Sequence, residues 1–372
     1  MLTAAAGFTA GGGPGMAGFA EGTLIATPEG EVPVERLNVS DTVRTRAGSA
    51  RVVWLGHRRV ECRSHPSPRD VWPVRVQQGA FGPGLPARDL LLSPDHAVFL
   101  PAIGGGVLVP VRYLINGASI RQEPAKRITY WHVELPRHDV LLAEGLPCES
   151  YLDTGNRADF ANGGQVTHLH PALALNIWAR SACAPLVRDG ALLAEARAAL
   201  LPWAAQLGHV LLPGGDLHLM VGQDRIDPDS IEGGIYRFTL RRESLASLRI
   251  VSRSGIPAEV EPHGTDTRRL GALLERMALF RPWAWHEVNL WAQRGAGLHV
   301  PERDGVRAWR WTDGDALITL PEAAGVLAVE LHVGALQPGW AQTPAQAPIQ
   351  AGRTRKRPSS PGSAVIQPRR RM

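Results

Sequence analysis

From Phe19 to about Tyr151 the chain is cut into short alternating apolar runs by turn residues, and this pattern limits the fold more than any other feature. "TLIATP", "DTVRTR", "ARVVWLG", "VWPVRVQ", "LLLSPDHAVFLP", "GVLVPVRYLI", "ITYWHVEL" and "DVLLAEG" place Val, Ile, Leu and Thr at every second position, as half-buried strands require. Gly (40) and Pro (30) supply the turns. Eight or more short strands with scant helical periodicity predict an all-β domain curved enough to close on itself.

Beyond it, "LDTGNRADFANGGQVTHLH" (152–170) is polar and rich in Gly and Asn, and reads as a linker. "DGALLAEARAALLPWAAQLGHVL" has helical spacing after an Asp cap, with Pro202 dividing or kinking it. The β pattern returns from Leu217. There "YRFTLRRESLASLRIVS" and "ALITLPEAAGVLAVELHV" each show two alternating runs around a polar centre, and are expected to be two hairpins of a β sandwich. The expected organisation is a leader (1–17), an all-β domain (18–155), a helical connection (156–215), a second β-rich, sandwich-like domain (216–335) and a basic tail (336–372).

The net charge of +5 comes from that tail, where seven Lys and Arg lie between Arg353 and Arg371 without an acid. Removing those seven from 40 leaves 33 basic residues against 35 acidic ones, so the body is close to neutral. The tail is expected to be disordered and solubilising, with non-specific attraction to polyanions as the sharper reading.

No apolar run approaches the roughly 18 residues of a spanning helix. The first residues lack the basic start of a Sec signal, so the expectation is a soluble protein, cytoplasmic or secreted without a leader. Cys62, Cys148 and Cys183 are far apart and form no CxxC, which argues against a disulfide framework or a zinc ribbon. "GGGPG" lacks the Lys-Ser/Thr ending of a phosphate loop.

Three ordered segments between residues 18 and 155 resemble the Hint (Hedgehog/intein) family, in its short bacterial form. "GFAEGTLIATPEGEVPVERLNVSDTV" is similar to the family's opening block, which begins with Cys-Phe and continues through Gly-Thr and Ile-x-Thr to Gly-Asp. "LLLSPDHAVFLP" is similar to the second block, with Thr or Ser three residues before His. "YWHVELPRHDVLLAEGLPCESYL" resembles the closing block.

The resemblance implies self-directed acyl transfer, in which a Cys thiol attacks the preceding carbonyl and the chain is its own substrate. Ser93 and His96 would polarise the amide and protonate its nitrogen, with Pro94 and Asp95 turning the chain between them. His138 and Asp139 match the polar pair of the closing block, as acid/base or orienting groups. By itself, Ser-x-x-His is more simply a turn serine beside a strand-end histidine, and His138-Asp139 a hairpin cap.

Three departures qualify the resemblance. Gly18 stands where the family has its Cys, so the first step lacks a nucleophile. Ser40 replaces the Gly before Asp41, which brings strain if the position requires positive φ. "GLPCESYL" ends in Glu149 and Ser150 rather than His-Asn, which removes Asn cyclisation. Self-cleavage is therefore expected to be weak or absent.

Cys148 is expected to be a small buried residue; neither Cys62 nor Cys183 is a convincing substitute. No cofactor or metal is expected: His168 and His170 lack a third ligand, and Glu259 and Glu261 read as solvated. Trp283, Trp285, Trp291, Trp309 and Trp311 are expected to be core mass. Exposed instead, they would form a stacking platform for a glycan.

Overall fold

The computed structural model describes residues 17–164, 171–281 and 283–341. Histidines 168 and 170, the leader before residue 17 and the basic tail beyond residue 341 lie outside these residues; the first residues of the expected tail do not, since Gly339–Trp340 pairs with Leu211–Leu212. The described part belongs to one compact unit, and among its residues no helix is long and apolar enough to cross a membrane.

Two antiparallel sheets build the first half. One runs Ile120–Gln122, Val74–Val76, Leu90–Leu92, Phe19–Ala20, Ile128–Glu134 and Trp54–Val60 in spatial order. The other runs Val107–Pro110, Ala97–Leu100, Leu146–Glu149, Val140–Ala143, Leu24–Thr27 and Gly30–Pro33, with Thr42–Thr45 and Gly48–Arg51 attached through Val140–Ala143. Alternate residues of both sheets, among them Phe19, Ile25, Val43, Leu92, Val98, Val109, Leu141 and Cys148, join one buried cluster. The chain crosses between the sheets repeatedly, as the sequence alternation predicts for a fold closing on itself.

Ser40 occupies the left-handed region, with φ 81°. Its N–H donates to Val52 O at 2.8 Å, and the Val52 N–H returns to Asp41 O at 2.8 Å. These bonds hold a conformation that a Cβ disfavours.

The segment after Ser150 is not a free linker. Tyr151, Phe160 and Trp54 pack together with ring centroids 5.0–5.7 Å apart. Asn162 brackets the Trp54–Val60 strand, accepting from the His57 N–H and donating to Leu55 O. The predicted helix spans Gly190–Gln206 and contains Pro202; its Leu193, Ala196 and Leu200 complete the first core. Polar composition misled because aromatic residues at 151 and 160, nine apart, anchor the intervening turns.

A nine-stranded sheet forms most of the rest, with His218–Val221, Ile235–Val251, Asp315–Leu336 and Ala272–Arg281 at its centre, beside a two-stranded pairing of Leu211–Leu212 with Gly339–Trp340. Here the two expected hairpins are corrected. Each segment is one long strand, Ile235–Val251 and Asp315–Leu336, and the two pair with each other through register shifts between Thr239 and Arg242 and between Leu245 and Ser247. The polar centre "RRES" contains no Gly, Asn or Asp to adopt the positive φ of a tight hairpin turn, so an irregularity absorbs it instead.

The tryptophans also depart from expectation. Trp283 is 98% exposed, Trp285 57% and Trp291 37%, whereas Trp309 and Trp311 are half-buried. Trp283 lies in the reversal between Ala272–Arg281 and Ala284–Glu287 and Trp285 just after it, where no second layer among the described residues covers them. The Arg276 guanidinium lies 5.2 Å from the Trp285 ring centroid.

Candidate active site

The site lies where the two sheets exchange chain. Leu90–Leu92 belongs to the first sheet and Ala97–Leu100 to the second, so residues 93–96 carry the crossing. The His96 N–H donates to Ser93 O at 3.1 Å, closing the turn that Pro94 and Asp95 suggest. Asp95 receives the Arg112 Nη2 at 2.8 Å, and the Arg112 N–H donates to Pro94 O at 2.9 Å, tying the turn from outside. Both predicted side chains point inward and are buried.

Residue 18 enters beside that turn. The Ser93 N–H donates to Gly18 O at 2.9 Å, and Phe19 pairs with both Leu92 and Trp131. The Phe19 ring lies 4.2 Å from His96 between centroids. A Cβ built at Gly18 would stand 2.9 Å from Tyr130 Cβ and 3.1 Å from Trp131 O. Those are backbone and near-backbone atoms with little freedom to yield, so a side chain at this position requires a backbone shift.

His96 has neither ring nitrogen hydrogen-bonded, and the Ser93 hydroxyl is also without a partner. Burial, followed by the nearby His138, holds the His96 imidazole down to about 3. It is therefore neutral at physiological pH, with a lone pair available.

His138 lies in the link that returns the chain to the second sheet. Its Nδ1 accepts the Cys183 N–H at 3.0 Å, which places the proton on Nε2, 3.9 Å from Glu149 Oε2. Trp178 packs edge-on against the ring at 5.5 Å. Burial lowers this imidazole to about 4. The Asp139 Oδ1 accepts the Val140 N–H, and the Asp139 N–H donates to the Ser150 hydroxyl. These bonds tie Asp139 to the strand it precedes and to Ser150.

Two residues complete the site without having been selected from the sequence. His132, on Ile128–Glu134, is buried with its ring centroid 5.0 Å from that of His96 and 5.2 Å from that of Tyr151. Glu149, at the end of Leu146–Glu149, is buried and accepts the Ala97 N–H at 2.7 Å. Burial raises its carboxyl to about 8, opposed by that backbone bond. The available signal was an ionisable residue inside an otherwise apolar strand, as in "ITYWHVEL" and "GLPCES".

Donor atoms of His96, His132 and Glu149 lie within 4.8 Å of one another. Two imidazoles and a carboxylate can hold a metal ion, and equally can pass a proton.

The cysteines are not poised for attack. Cys148 is wholly buried and its thiol is pushed well up by desolvation; desolvation also raises Cys183 to about 11 and Cys62 upward. None is a thiolate at neutral pH.

The family model described as "Hint domain" matches residues 17–155. Among solved structures, the gp41-1 intein is 12% identical, covering 36% of this chain and 98% of that one at a TM-score of 0.25. The bacterial intein-like domain from Clostridium thermocellum is 15% identical, covering 37% and 99% at 0.27. The MchDnaB-1 intein is 14% identical, covering 36% and 99% at 0.25. No curated protein matches the chain.

Proposed function

Residues 17–155 are a Hint domain, and from that premise we propose that they form a self-processing acyl-transfer scaffold with little or no self-cleavage. Gly18 carries this reading. It stands where the family's nucleophilic Cys would stand, bonded through its carbonyl to the Ser93 turn, and a side chain there would require the backbone to shift. The three thiols elsewhere are held protonated by burial.

The remaining apparatus suits the later part of such chemistry. Neutral His96 can exchange a proton with a departing nitrogen, and Ser93 is unpartnered beside it. His138, with its tautomer fixed by Cys183, faces Glu149. Without an attacking group at residue 18, no thioester or ester forms for these residues to resolve.

Hydroxylamine tests the proposal, because it traps thioesters and esters and leaves ordinary amides intact. Incubation of the full chain should give no hydroxamate ending at Ala17. Such a fragment would show that an acyl intermediate forms despite Gly18.

A second reading concerns the nine-stranded sheet. Exposed Trp283, Trp285 and Trp291 favour a binding surface, with a glycan stacking on the indoles as the ligand. Tryptophan fluorescence titrated with a panel of sugars should shift for at least one of them; a flat response across the panel rejects the reading.

A further inference from the structure

We propose that His96, His132 and Glu149 form a binding site for one divalent transition-metal ion within the buried cluster where the two sheets meet. Their donor atoms lie within 4.8 Å of one another, and all three residues are buried. They reach this point from three separate pieces of chain: the crossing turn, the Ile128–Glu134 strand and the end of the Leu146–Glu149 strand.

An independent observation points to a ligand. His96 is 0% exposed, yet neither Nδ1 nor Nε2 has a hydrogen-bond partner. Buried polar atoms in folded proteins are nearly always satisfied, so an imidazole isolated at both nitrogens calls for a missing partner. A metal ion supplies one and bonds the neutral form of the ring that burial already enforces.

The donor set identifies the class of ion. Two imidazoles with one carboxylate match three-ligand transition-metal sites that leave positions open for water or another ligand. Calcium and magnesium prefer shells composed of oxygen. On binding, the donors would converge to about 2.0–2.2 Å from a common centre.

Surrounding groups already orient the ligands, as metal sites require. The Ala97 N–H holds Glu149 Oε1 at 2.7 Å. Tyr151 backs the His132 ring and is itself fixed by its hydroxyl bond to Asn156 at 2.7 Å. His138 is outside the set of converging donor atoms, its Nδ1 being occupied by the Cys183 N–H at 3.0 Å; the His132 Nδ1 accepts the adjacent Val133 N–H at 3.2 Å, a bond that ligation through that nitrogen displaces. The site needs nothing from residue 18, so it stands whether or not the domain cleaves itself.

Cobalt(II) is the probe. The full chain without an affinity tag, stripped with chelator, should bind one equivalent and develop the visible absorption of four- or five-coordinate cobalt. His96→Ala and Glu149→Gln should each weaken binding more than about tenfold, the scale on which even supporting residues act. Glu149→Gln keeps an acceptor for Ala97 and decides the question if His96→Ala fails to fold. His263→Ala, on the exposed surface, should bind like the parent. Absence of the cobalt spectrum, or unchanged affinity in Glu149→Gln, overturns the proposal.

Discussion

The Ser93 N–H donates to Gly18 O at 2.9 Å, joining the crossing turn of the site to the residue at its entrance. That bond fixes the carbonyl of residue 18, while Tyr130 Cβ and Trp131 O close the space where its side chain would be. A side chain at residue 18 therefore requires the backbone around it to shift.

Gly18→Ala should destabilise the protein by about 1–3 kcal/mol, the usual cost of forcing an extra carbon into a packed region. Urea denaturation measures this directly. Gly18→Cys should carry a similar cost and remain intact with added thiol, because its Cβ meets the same atoms. An unaltered denaturation midpoint in Gly18→Ala would show that the entrance relaxes freely.

Phe19→Ala should cost about 3–5 kcal/mol, because the ring is fully buried and deletion leaves a cavity against His96. A loss below about 1 kcal/mol would contradict the packing described between entrance and buried cluster.

Ser40→Gly should stabilise by about 1 kcal/mol, since φ 81° is disfavoured for a residue with a Cβ. The larger unfolded-state entropy of glycine offsets part of that gain. A destabilised variant would mean that the Ser40 side chain contributes more than its strain removes.

In metal-free protein the buried cluster sets a pH profile. Folding lowers His96 to about 3 and His138 to about 4, with His132 also well below 6.5, so these groups make stability rise with pH up to about 6.5. Glu149 is raised to about 8, so the folded state retains a proton that the unfolded chain loses near 4.5. Its contribution is present at low pH and is lost as pH rises from about 4.5 to 8. Above about 6.5 only the Glu149 slope remains, and stability should fall towards pH 8. Glu149→Gln should abolish that fall in chelator-treated samples; the same decline in the variant would place its origin elsewhere.

Much of this was legible from local pattern. The strands from Phe19 to Tyr151 follow from two-residue alternation, and the Ser93 to His96 turn from Pro-Asp between a hydroxyl and an imidazole. The convergence of His132 and Glu149 on His96 was not legible. They meet because Phe19–Ala20 pairs with both Leu90–Leu92 and Ile128–Glu134, and because Leu146–Glu149 lies beside Ala97–Leu100. Those are long-range register choices that no short window records. For the same reason, the segments around "RRES" and "PEAAG" read as hairpins: local alternation cannot tell two strands from one strand with an irregular centre. Trp283 and Trp285 read as core because residue type alone does not reveal that they stand exposed at a strand reversal.

The most direct test of the central claim is the intact mass of the unmodified chain after prolonged incubation at neutral pH with excess thiol. One species at the mass of all 372 residues is the expected result. A species lacking residues 1–17 would contradict the claim, because the bond before Gly18 would then break without the nucleophile that this site lacks.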